Sequence, residues 1–151
     1  MAIPIPPVGP ARQQPLTRIL IAEDSEDNLV LTKAYLRGGG FELDVAENGK
    51  IAVENVMSNH PHMVLMDLQM PVMGGLEATR AIRQWEKETH AHPTPILALS
   101  AHAGEEAERS SLEAGCNEHV TKPIRKSDLL AAIFRHLNGT IPIPPAEGGG
   151  S

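Results

Sequence analysis

The sequence predicts an α/β fold: a single three-layer, doubly wound domain of five βα units whose parallel sheet is covered by helices on both faces. Three observations carry this. Short apolar runs alternate with amphipathic stretches along the chain, the pattern expected of parallel strands joined by helical crossovers. The runs lack period-two polarity, as strands buried on both faces do. Glycine or asparagine follows three of the amphipathic stretches, where helices stop. Right-handed crossovers then leave few ways to thread the units.

Taken in order, the first run is Arg18–Ala22 (RILIA), and Leu29, Ala34 and Leu36 mark a helix that ends at Gly38-Gly39-Gly40. Phe41–Ala46 is the second strand, followed by a helix marked by Ile51, Val53, Val56 and Met57. Met63–Met66 is the third, with Leu76, Ala78, Ala81 and Ile82 on its helix. Ile96–Leu99 is the fourth, and its helix, marked by Ala107, Leu112 and Ala114, stops at Gly115. A shorter run, His119–Thr121, is the fifth; Leu129, Leu130, Ile133 and Leu137 mark a last helix that stops at Asn138-Gly139. Residues 1–16 and 139–151 are tails too rich in proline and glycine for helix or sheet, so the domain spans 17–138. The string IPIPP occurs in both tails, at Ile3–Pro7 and Ile141–Pro145. Each copy holds a P-x-x-P that can adopt polyproline II, although linker sequence is the simpler reading.

Composition narrows the function. With 151 residues the chain is long enough for one good core. A formal net charge of -6, with no basic stripe interleaved with aromatics, argues against sequence-independent nucleic-acid binding. Cys116 is the only cysteine, so no internal disulfide forms and a reducing cytoplasm is the expected compartment. No apolar run approaches bilayer length, and a soluble protein is expected.

In such a sheet the binding crevice lies beyond the carboxyl ends of the strands. The stretch VLMDLQMP, Val64–Pro71, ends its apolar run on one acid, Asp67. Glu23-Asp24 follow the first strand, Ser100 the fourth and Lys122-Pro123 the fifth. Three acids, a hydroxyl and an amine therefore meet at one end of the sheet. Crowded carboxylates repel unless a cation shares their site, and magnesium, which takes carboxylate, carbonyl and water oxygens, is the natural occupant. Asp24 and Asp67 are expected as direct ligands, with Glu23 holding a metal-bound water and the backbone carbonyl of Gln69 as a further oxygen. Ser100 and Lys122 then supply a hydroxyl and a positive charge to phosphoryl oxygens. An ionised Asp67 can attack phosphorus directly and become an acyl phosphate.

The acidic pair Glu23-Asp24, the stretch LMDLQMPVMGG, Ser100-Ala101 and the TKP at Thr121–Pro123 occur in an order and spacing that resemble the receiver domain of two-component response regulators, over roughly residues 17–138. The resemblance implies a flavodoxin-like (βα)5 fold with strand order 2-1-3-4-5. It also implies phosphorylation at Asp67, metal binding by Glu23 and Asp24, Ser100 as switch hydroxyl, Lys122 as phosphate-bonding amine, and a cis peptide before Pro123. Receivers commonly carry Tyr or Phe where this chain has His119; an imidazole is smaller and polar, so two readings stand, a switch built from His119 and a half-exposed histidine with no switching role. Gln69 and His102, two residues beyond the acceptor and the hydroxyl, are expected at the mouth of the site, tuning the lifetime of the acyl phosphate.

The stretches LQMPVMGGLEATRAIR and GCNEHVTKPI are most similar to receivers of hybrid sensor histidine kinases, against the alternative of a stand-alone regulator. The implied partner is a histidine kinase or a histidine phosphotransfer domain, gripping the mouth near Met70-Pro71 and Asn28, with the chain itself a monomer or weak homodimer. Two other classes stand beside this reading. A magnesium-dependent phosphohydrolase would want a second acid where Gln69 stands, and a docking module that never carries phosphate would be expected to lack Asp67 or Lys122. His60-Pro61-His62 and His90-Ala91-His92 lack zinc spacing and are expected in solvent-facing loops.

Overall fold

In the computed structural model, which describes residues 16–137, each apolar run is a strand and each amphipathic stretch a helix. The order is β1 (Thr17–Ala22), α1 (Glu26–Leu36), β2 (Phe41–Ala46), α2 (Gly49–Asn59), β3 (Met63–Asp67), α3 (Gly75–Thr89), β4 (Ile96–Ser100), α4 (Glu105–Ala114), β5 (Glu118–Thr121) and α5 (Lys126–His136). The two IPIPP copies and the Asn138-Gly139 stop lie outside the described residues. All four strand pairs are parallel, in the order β2-β1-β3-β4-β5. The expected doubly wound, flavodoxin-like topology is therefore present.

Alternate strand residues feed two cores. Leu20, Ala22, Val64, Met66, Ile96 and Ala98 pack under Ala52 and Val56 of α2 and Ala78 and Ile82 of α3. Ile19, Ile21, Met63, Leu65, Leu97 and Leu99 pack under Leu36 of α1 and Leu129 and Ile133 of α5. Because both sets must be apolar, β1, β3 and β4 cannot alternate in polarity, whereas the edge strand β2, FELDVA, does and is only partly buried. Each fully buried Leu or Ile contributes about 2 kcal/mol by its removal from water, so the two cores together outweigh any surface term.

Local signals set the element ends. Ser25 and Asn48 cap α1 and α2, their side-chain oxygens accepting from the backbone N–H of Asn28 and Ile51. Gly115, at φ 118°, closes α4 in a left-handed turn that L side chains rarely adopt. Some apolar markers of the helices do not face the core: Met57 and Leu112 are 42% and 44% exposed, and Ala34 is exposed too. On α4 the inward place beside Leu112 belongs to Ser111, fully buried, whose hydroxyl donates to the Glu108 carbonyl at 2.9 Å.

At the amino-terminal end of the sheet a polar clamp ties α3 to β4 and the start of β5. Glu86, 4% exposed, accepts from the Arg83 guanidinium and from the Thr94 N–H, both at 2.8 Å. Arg83 also reaches the Gly115 carbonyl and the Asn117 side chain, which in turn accepts the Ile96 N–H. Glu118 on β5 makes a second tie, to Arg135 and His136 of α5.

His60, His90 and His92 are exposed, as expected of solvent-facing loops, and His62 is the exception. His60 stacks on Trp85 with ring centroids 5.9 Å apart, and His62 is half-buried, its Nδ1 accepting the Arg18 N–H at 2.8 Å. That bond needs a lone pair, so the ring is held neutral. Burial, and then the charge of Arg18, push its pKa below the ordinary histidine value. The unfolded chain then binds the proton more readily than the folded one, so this contribution is complete above the ordinary pKa and drains away as pH falls through the lowered one. Thermal unfolding should show a midpoint that drops from about pH 7 to about pH 5, less steeply in His62→Gln. Equal slopes in the two proteins would contradict it.

Candidate functional site

Strand order reverses between β1 and β3, and the crevice beyond their carboxyl ends is where open parallel sheets bind ligands. Asp67 closes β3 and Glu23 follows β1 directly; both are 3% exposed, while Asp24 faces solvent. One carboxylate oxygen from each of the three lies within 4.8 Å of the others. Lys122, one residue past β5, reaches over them with its Nζ 3.4 Å from Glu23 Oε1 and 3.4 Å from Asp67 Oδ2. The Lys122–Pro123 peptide is cis.

Each acid is also held from its own turn. Asp67 Oδ1 accepts the Gln69 N–H at 3.1 Å, and Glu23 Oε2 accepts the Ser25 N–H at 3.1 Å. Burial, then the hydrogen bond and charge of Asp67, push the Glu23 carboxyl above the usual range, against the pull of the Ser25 N–H and Lys122. Three hard oxygen donors, two of them buried, with one lysine between them fit a divalent cation such as magnesium. A metal ion would offset the Asp67 charge that adds to burial in raising Glu23.

A second cluster adjoins the acids. Ser100 ends β4 with 1% exposure, and its Oγ accepts the His102 N–H at 2.9 Å and the Gln69 Nε2–H at 3.4 Å. Gln69 Oε1 accepts the Ala101 N–H at 3.4 Å, so this one side chain joins the β3–α3 loop to the β4–α4 loop. Both acceptor positions on Ser100 are filled, which leaves its hydroxyl hydrogen to donate elsewhere. Gln69, Ser100, His102 and His119 line one cavity of about 380 Å³. His119 itself stands apart from the carboxylates. Its ring lies between Ser111 Oγ, 2.9 Å from Nδ1, and the His102 carbonyl, 3.0 Å from Nε2.

The residues singled out in the sequence therefore form two connected groups: Glu23, Asp24, Asp67 and Lys122 around a cation-sized gap, and Ser100, Gln69, His102 and His119 beside it. Two contributors escaped the sequence. Ser111 carries no signal, being one serine on a polar helix. Gly75 had one, the Gly-Gly pair after the loop: a Cβ there would lie 2.5 Å from the Asp67 carbonyl oxygen and 2.8 Å from Leu68 Cα. The loop between is strained at Val72, which has φ 67° and is 81% exposed, while Met70 and Met73 pack inward against the core.

The response regulator receiver domain family matches residues 19–134. Sensor protein GacS of Pseudomonas syringae pv. syringae is 38% identical over 140 residues, which cover 93% of this chain and 15% of that protein. Hybrid signal transduction histidine kinase B of Dictyostelium discoideum is 38% identical over 133 residues, 82% of this chain and 7% of that protein. The chain thus spans a small part of the curated relatives it matches. Among solved structures, the receiver domain of sensor histidine kinase PA1611 from Pseudomonas aeruginosa PAO1, with a magnesium ion coordinated in the active site cleft, superposes with a TM-score of 0.73 at 30% identity. The match covers 83% of this chain and all of that one. No helix among the described residues is long and apolar enough to cross a membrane.

Proposed function

Because the chain belongs to the response regulator receiver domain family, we propose that it accepts a phosphoryl group from a phosphohistidine onto Asp67 and relays the change to a partner through its surface. The observation that carries this is Asp67 itself: a nearly buried carboxylate with one oxygen fixed by the Gln69 N–H and the other facing the Lys122 ammonium. Its carboxylate oxygen forms a bond to phosphorus while the P–N bond of the donor breaks, and the donor imidazole leaves with the electron pair. Lys122 takes up charge on the phosphoryl oxygens, and the free hydroxyl hydrogen of Ser100 is available to another of them.

Asp24, Asp67, Glu23 and the Gln69 backbone carbonyl would hold the magnesium ion, which when bound neutralises charge on the transferring group. The partner is a histidine kinase or a histidine phosphotransfer domain, docking at the mouth near Met70, Pro71 and Asn28. Similarity to hybrid kinases along most of the chain supports a receiver that forms part of such a protein; in this reading it works on the cytoplasmic side as a monomer or weak dimer and does not bind nucleic acid.

Intact mass after exposure to a small phosphodonor tests the proposal: one phosphoryl group is gained with magnesium and none once the metal is chelated. A gain that ignores chelation would refute the metal assignment. Phosphate released far beyond one equivalent from a generic ester would instead mark a phosphohydrolase. Gln69 and His102 border the path by which water reaches the acyl phosphate, so Gln69→Ala or His102→Ala should change its decay several-fold while altering uptake less. Timed decay of the phosphoprotein checks this, and equal effects on both rates would count against a tuning role.

A further inference from the structure

The His102 carbonyl and the Ser111 hydroxyl flank the His119 ring, the Glu108 carbonyl lies beyond Ser111, and the hydrogens these contacts need can be counted. The His102 and Glu108 carbonyls only accept, so His119 Nε2 must carry a hydrogen to bond the first, and the Ser111 hydroxyl must spend its only hydrogen to bond the second. The remaining contact, Nδ1 to Ser111 Oγ at 2.9 Å, then needs a hydrogen on Nδ1 as well. Three contacts require three hydrogens. A neutral imidazole and a hydroxyl own two between them, and an imidazolium supplies the third. In the neutral ring Ser111 must turn from Glu108 to Nδ1, or one contact is left without its hydrogen.

This network ends on the residue that Ser100 also holds. His102 gives its N–H to Ser100 Oγ and its carbonyl to His119 Nε2. Whatever reorients the Ser100 hydroxyl therefore acts on a residue whose next peptide is held from the other side by His119 of β5, itself braced by Ser111 of α4. Resting on the aspartyl-phosphate reading above, we infer that His119, braced by the buried Ser111, is a positioning residue that pins the β4–α4 loop most firmly when doubly protonated, so that protonation there and occupancy of Asp67 by a phosphoryl group oppose each other. The other groups facing the ring are few. Glu106 of α4 and the His102 imidazole share its cavity, Leu76 of α3 and Leu68 line it without charge, and Gln69 and Ser100 are neutral. The charged Glu118 points to Arg135 and His136 of α5 instead.

Two measurements on the whole chain test this, with His119→Asn and Ser111→Ala beside the parent protein. The first is amide hydrogen exchange at Ala101 and His102 without any ligand, where both substitutions should speed exchange several-fold relative to the parent. Unchanged protection would overturn the pinning. The second is the affinity for beryllofluoride with magnesium as a phosphoryl mimic. In the parent it should weaken several-fold more than in His119→Asn as pH falls from about 7.5 to about 5.5, the range in which imidazole titrates, and Ser111→Ala should flatten that excess. Parallel pH profiles in all three proteins would overturn the proton link. Failure of beryllofluoride to bind any of them would instead count against the aspartyl-phosphate reading, with the pinning still decided by the exchange measurement.

Discussion

Asp67→Asn should abolish the gain of a phosphoryl group from a small donor while leaving the fold intact. The substituted amide keeps the shape of the carboxyl group and can still accept the Gln69 N–H at the Oδ1 position. It cannot attack phosphorus, because an amide oxygen lacks the charge and basicity of the carboxylate. Removing one of three clustered acids also relieves Glu23, whose carboxyl is raised first by burial and then by Asp67. The mutant should therefore unfold at the same temperature as the parent or slightly higher, although Lys122 loses one of two charged partners. Intact mass and a thermal scan on the same preparation separate the outcomes. An undiminished mass gain would move the acceptor to another side chain, and a lost gain with a collapsed midpoint would say only that the fold had failed.

Gly75→Ala should be strongly destabilising for a single added methyl. In a helix interior the exchange of glycine for alanine gains about 1 kcal/mol. Here the added Cβ would sit 2.5 Å from the Asp67 carbonyl oxygen, 2.8 Å from Leu68 Cα and 2.9 Å from Leu68 Cδ2. The first two belong to backbone that is paired in the sheet or hydrogen-bonded to the neighbouring strand: the Leu68 N–H donates to the Leu99 carbonyl at 3.0 Å. They cannot swing aside as a side-chain tip can, so overpacking wins by about 2–3 kcal/mol net. Urea and thermal unfolding should show a midpoint lowered by about 10 °C. Phosphoryl uptake should slow too, since the displaced backbone carries Asp67, the acceptor proposed above. Parent-like stability would mean that the turn after β3 yields more easily than its hydrogen bonds suggest.

Much of this site was legible because strand ends are easy to find in an α/β chain. A run such as Val64–Met66 has no reason to stop on a carboxylate unless the next residue leaves the sheet, and Pro71 marks the departure. Glu23, Ser100 and Lys122 could be located by the same argument. That they share one end of the sheet follows from the strands being parallel; which strands lie side by side needed the strand order, which periodicity does not contain and which came from likeness to a family. Helix faces were read less well. Leu112 and Met57 are exposed although apolar, since burial depends on what lies across from a helix as much as on the helix itself. Ser111 is buried because its hydroxyl has partners, and those partners, Glu108 and His119, come into place only with the fold.

The clamp of Glu86, Arg83, Asn117 and Thr94 lies at the end of the sheet away from the acids. A body bolted at one pole behaves as a cantilever: displacement grows toward the free end while the anchored end stays still. A rearrangement of the mouth of the kind the proposed phosphoryl transfer calls for would then leave the two cores undisturbed and be read at the rim rather than through the frame.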